Sequence, residues 1–148
     1  MVVTFEEYRK YLSPALAKTT DLVVERGKGS YVWTVEGDRY LDWVQGIAVN
    51  ALGHSHPRVV KAVCDQVQNL ITASFNMVNY PSTLRLAKRI AELTPGDLTS
   101  FFFSNGGAEA TDGAMKLARA YTHRTNIIAF RGSFHGRTYG ALSVTASN

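Results

Sequence analysis

Two short stretches hold residue types that could do chemistry. The first, Ser104-Asn105-Gly106-Gly107-Ala108-Glu109, joins the apolar run at 101–103 to a long amphipathic one. A glycine pair there has two readings. It is a tight turn, or it is an anion seat, because a helix N-terminus offers unpaired N–H groups and the positive end of the dipole. Without Cβ atoms, Gly106 and Gly107 let an anion approach the backbone, and Ser104 and Asn105 could add side-chain donors. The named phosphate motifs, G-x-x-x-x-G-K-[ST] and G-x-G-x-x-G, do not occur at this turn.

The second stretch, FRGSFHGRTYGALS at 130–143, offers an aromatic ring (Phe134), an imidazole (His135), a guanidinium (Arg137) and three glycines. A flat ligand could stack on Phe134 or His135 while Arg137 grips a carboxylate with two donors. Taken singly, Phe134 reads equally as core and Arg137 as surface charge. His54 and His56 could face one way on extended backbone, yet no Cys, Asp or Glu stands at a recognisable ligand spacing, so GHSHP reads as a structural turn. Cys64, the single cysteine, reads as a small core residue with no internal disulfide partner, which fits a cytoplasmic location.

These residues need elements to place them. Residues 4–18 suggest a short, weak helix, and 21–43 suggest β structure with Glu36-Gly37-Asp38 as hairpin turn. A helix opens near Pro57, with Val60, Val63, Val67 and Leu70 at helical spacing. A second runs through PSTLRLAKRIAEL and stops at Pro95-Gly96. A buried strand, SFFF, leads through the glycine turn into a third helix over about 108–122, and NIIAF at 126–130 reads as another strand. Strand, helix, strand implies a right-handed βαβ unit in a parallel sheet. Ligands of such sheets sit beyond the carboxyl ends of the strands, where both chemical stretches fall. The segments divide as an N-terminal portion at 1–50, connecting helices at 51–95 and the start of an α/β domain at 96–148.

With 45% hydrophobic and 19% charged residues, the composition is that of a soluble globular chain. No apolar run approaches the roughly 20 residues of a membrane-spanning helix, and no secretory signal opens the chain. Its 16 basic and 12 acidic residues interleave without a basic stripe, so neither nucleic acid nor a membrane is the expected partner.

FFSNGGAEATDGAMKLARAYT followed by IIAFRGSFHGRTYGALSVT resembles the cofactor region of class III aminotransferases. These are the pyridoxal-phosphate enzymes that include acetylornithine and 4-aminobutyrate aminotransferases. GSYVWTVEGDRYLDWVQGIAVNALGHSHPRVVKAV is similar to theirs as well. The resemblance runs from about Leu22 onward and covers the front of a much longer family chain. It implies a fold-type I α/β protein, a small β segment followed by the start of a large parallel or mixed sheet. Pyridoxal 5'-phosphate is the implied cofactor. Gly107 and Ala108 would hold its phosphate, Ala108 through backbone alone. Phe134 would stack on its ring, His135 would pack or orient beside it, Arg137 would contact a substrate carboxylate and Ile47 would line the substrate pocket.

The resemblance also implies a Schiff-base lysine and a carboxylate beside the ring nitrogen, both beyond Asn148. Lys10, Lys18, Lys28, Lys61, Lys88 and Lys116 do not match the lysine position, so no catalytic residue is assigned and the chain alone is expected to be inactive. The implied reaction moves an amino group from an ω-amino acid or similar amine to a 2-oxo acid, in a homodimer. An aminomutase or racemase on the same scaffold, or a non-catalytic phosphate-binding module, are the alternatives.

Overall fold

The computed structural model describes residues 3–16 and 18–147. It divides into two compact units, Met1–Ser74 and Phe75–Asn148.

The first unit opens with α1 (Phe5–Tyr8), which Thr4 caps through its side chain, and a 3-10 turn, Arg9–Tyr11. Strands β1 (Val24–Lys28), β2 (Tyr31–Thr34) and β3 (Arg39–Leu41) then form an antiparallel sheet in the order β1-β2-β3. The register sets Arg26 and Arg39 on either side of Trp33. The Arg26 guanidinium stands 4.0 Å from the Trp33 ring and that of Arg39 4.9 Å from Tyr31. Alternation puts these side chains on one face of the sheet, where stacked guanidinium groups keep the aromatic rings half covered. Gly37, at φ 95°, makes the expected turn, and the Thr34 hydroxyl, only 2% exposed with its residue, accepts from Asp38 N–H.

Beyond β3 lies a one-turn element, α2 (Gln45–Ala48), in which all four residues have positive φ, between 45° and 65°. Helix α3 (Pro57–Asn69) follows, opened by its proline as expected. Its apolar positions do not form a core: Val60, Val63 and Val67 are 46–55% exposed, and Cys64, expected inside, is exposed too.

In the second unit, α4 (Pro81–Ala91) and α5 (Gly107–Thr122) match the periodicity, and α6 (Tyr139–Ser143) is a short helical turn within GALSV. The two expected parallel strands are absent. Residues 98–104 and 126–130 are unpaired, and the only sheet among the described residues is the antiparallel one. Phe102 is 79% exposed, Ile128 94% and Phe130 83%, so the buried strand SFFF is corrected to an open segment. Parallel strands are held by hydrogen bonds to flanking strands, and among the described residues neither segment has a strand beside it. Ala141, fully buried, and Gly136 mark the close packing of this unit, against the first turn of α5.

Candidate functional site

Helix α5 begins where the backbone leaves extended Gly106, which makes no side-chain cap. Ala110 N–H bonds to Gly106 O at 3.1 Å, but Gly107, Ala108 and Glu109 N–H find no acceptor among the described residues. A Cβ on Gly106 or Gly107 would meet nothing within 4 Å, so the space before these donors is open. The expected side-chain donors are engaged elsewhere. Asn105 donates through N–H and Nδ2 to Glu109 at 2.8 and 3.0 Å, and Ser104 Oγ donates to Gly106 O. Glu109 thus closes the turn as a capping box does, and the anion donors that remain are backbone N–H groups.

The loop after 130 is drawn onto this turn by hydroxyls. Thr111 Oγ1 lies 3.0 Å from Gly107 O and 3.2 Å from His135 O, so its one proton is shared between helix and loop. Thr145 Oγ1 accepts from His135 N–H at 3.0 Å and faces the carbonyls of Gly136 and Ala141. Gly136 has φ 129°, and a Cβ there would stand 2.5 Å from that of Ala108. Only glycine lets the loop approach the helix so closely.

The result is an open cleft of about 490 Å³ lined by Gly107, Ala108, Thr111, Phe134, His135, Gly136 and Arg137. All five site residues expected in this unit reach it. Phe134 leaves 59% of its surface exposed, and the Arg137 guanidinium stands 5.7 Å from its ring centre. His135 ties the loop through its backbone. Thr111 escaped the sequence reading, although it lies one helical turn after Gly107 and so on the same face. Ile47 belongs to the first unit, 85% exposed on the α2 turn. No lysine lines the cleft.

The profile described as "Aminotransferase class-III" matches residues 12–148. The chain belongs to the class III aminotransferase family. It is 52% identical over 119 residues to the acetylornithine aminotransferase of Methanopyrus kandleri, covering 80% of this chain and 30% of that one. It is also 40% identical to the succinylornithine transaminase of Citrobacter koseri, over 95% of this chain and 35% of the other. Among solved structures, the adenosylmethionine-8-amino-7-oxononanoate aminotransferase of Methanocaldococcus jannaschii superposes with a TM-score of 0.89 at 30% identity. That match covers 96% of this chain and 35% of the other. An (S)-enantioselective omega-transaminase from Thermomicrobium roseum gives 0.83 at 35% identity, over 95% and 35%. The fold is that of part of a fold-type I transaminase, and the chain spans about a third of the relatives' length.

The cleft suits the family's implied cofactor. A dianionic phosphate needs several donors and no nearby carboxylate aimed at it. Gly107 and Ala108, whose N–H groups find no acceptor among the described residues, line the cleft, and Glu109 is turned away onto Asn105.

Proposed function

We propose that this chain supplies the phosphate and ring seat of a pyridoxal-phosphate-dependent aminotransferase that moves an amino group from an ω-amino acid or similar amine to a 2-oxo acid. One observation carries the reading: free N–H groups, an open aromatic face and a guanidinium share one cleft. Gly107 and Ala108 N–H hold the phosphate, and the helix dipole favours its charge. Phe134 offers its exposed face to the pyridine ring. Arg137, whose guanidinium stands 5.7 Å from the Phe134 ring centre, has donors left for a substrate carboxylate. Thr111 and Thr145 fix the loop, so that the aromatic face and the N–H groups keep one spacing. When bound, the cofactor supplies an electron sink for the amine carbon. No cleft residue is a lysine, so a side-chain amine that would link to the cofactor and carry a proton would have to come from outside these residues. Ile47 contributes an apolar wall to the substrate pocket. The complete protein works as a homodimer, as the resemblance implies.

The test is Gly107→Asp in the complete enzyme. An aspartate at the first helical position favours the helix dipole yet puts a carboxylate where the phosphate sits. Cofactor affinity, read from its absorbance, should fall at least about tenfold while the melting temperature of the cofactor-free protein holds or rises. Unchanged affinity would overturn the reading.

A further inference from the structure

No residue of the α2 turn lines the cleft, yet the turn holds the longest run of positive φ among the described residues. Four consecutive residues, Gln45, Gly46, Ile47 and Ala48, have φ of 45°, 65°, 62° and 63°. Gly46 and Ile47 have ψ of 31° and 56°, which is left-handed helix. The turn closes its own hydrogen bonds: Ala48 N–H to Val44 O at 3.0 Å, then Val49 and Asn50 N–H to Gln45 O at 3.1 and 3.0 Å. Only one of the four residues is glycine. A β-branched residue such as Ile47 is a true outlier in this region, and the conformation persists only where its surroundings impose it. Packing does not impose it, because Trp43, Val44, Ile47 and Val49 are each 65–86% exposed.

The constraint enters from Asp42. Its Oδ1 accepts from Val44 N–H at 3.0 Å and Gln45 N–H at 2.9 Å, fixing the entry to the turn. Its Oδ2 lies 2.6 Å from His54 Nε2, and the two side chains are only 14% and 28% exposed. His54 is itself anchored. Its backbone exchanges hydrogen bonds with Gly29 at 2.8 and 3.0 Å, and its ring packs so tightly on Gly27 that a Cβ there would stand 2.6 Å from His54 Cγ. Turning the Asn50 amide so that its oxygen faces the ring brings that oxygen to 3.2 Å from His54 Nδ1 and 3.3 Å from His54 N. Both ends of the turn are therefore tied to one residue: Asp42 before it through the His54 ring, and Asn50 after it through the His54 backbone N–H.

We propose that Asp42 and His54 are positioning residues that lock the left-handed turn and so fix how Ile47 is presented. The link to substrate rests on the reading of Ile47 as a pocket wall; the lock itself does not. The pair acts through the backbone, touching neither cofactor nor the reacting atoms. Its removal releases the turn to right-handed or extended states, and Ile47 loses its single orientation.

The test uses the complete enzyme and its Asp42→Ala, His54→Ala, double and Asp42→Asn variants. Backbone hydrogen exchange is read peptide by peptide, because Ala48, Val49 and Asn50 N–H are protected only while the turn holds. In either alanine variant, exchange in the 43–50 peptide should quicken by roughly tenfold or more, with little further change in the double variant. The peptides over 57–69 and 107–122 should exchange as in the parent. Asp42→Asn keeps an acceptor for Val44 and Gln45 and a partner for His54, so it should restore protection. Equal quickening in all peptides would overturn the proposal, because it marks a merely structural role, and so would unchanged protection at 43–50. Kinetics then separate the two readings. Substrate KM should rise about tenfold in the alanine variants with kcat and cofactor absorbance retained. Lost protection with unaltered KM, also in Ile47→Ala, would leave the lock standing and remove Ile47 from the pocket.

Discussion

Asp42 shows how much one carboxylate can organise. The Gln45 N–H first, then His54 and the Val44 N–H, hold its carboxyl below the ordinary value of 3.8, against a smaller opposing effect of burial. The charged form is the one the folded turn prefers, so the contribution is complete above the ordinary carboxylate range. It is lost as pH falls through the lowered value. The stability gap between the parent and Asp42→Ala should therefore be constant above about pH 5 and narrow in stronger acid, by the part that depends on the charge. Denaturant titrations at several pH values measure it, and a gap that persists in full at the acid end would refute the assignment. The site residues differ in how they could be foreseen. Gly107, Phe134 and Arg137 announce themselves by type. Thr111 does not, because its role comes from sharing one proton between two carbonyls that lie 28 residues apart in sequence, Gly107 and His135.

Among the elements, helix α5 ends on His123 in the left-handed conformation, φ 56°, with its N–H bonded to Arg119 O at 2.9 Å. Glycine takes that conformation without the Cβ penalty. His123→Gly should thus raise stability by about 1 kcal/mol, less a little for the greater entropy of the unfolded chain. A lower melting temperature would contradict it. Helix ends of this kind, Pro57 and Pro81 at the starts of α3 and α4, and the Gly37 turn were legible because they depend on a few adjacent residues. The expected parallel strands at 100–103 and 126–130 were not realised. A strand's apolar composition is local, but its hydrogen bonds are supplied by other strands. The left-handed α2 turn had no local signal beyond Gly46, since distant His54 helps hold it.

Across the whole molecule, the surface tells the same story. Helices α3 and α4 are amphipathic, yet neither has a buried residue. Phe102, Ile128 and Phe130 stand exposed on segments outside any strand ladder, and apolar surface of this kind promotes association. The 148-residue chain should bind an apolar dye and sediment as concentration-dependent oligomers, and Phe102→Lys with Ile128→Lys should shift it towards monomer. A dye-silent monomer at every concentration would show that those faces find cover.

The contact between Gly136 and Ala108 has a consequence for anyone wishing to reshape the cleft. Added carbon at 136 would meet both an unfavourable backbone angle and the methyl of Ala108, displacing the donors that open α5. That position is a pivot on which redesign has no purchase. Changes of ligand size have to be introduced at Phe134 and Arg137, whose side chains face free space, and the motif separates into one immovable residue and two adaptable neighbours.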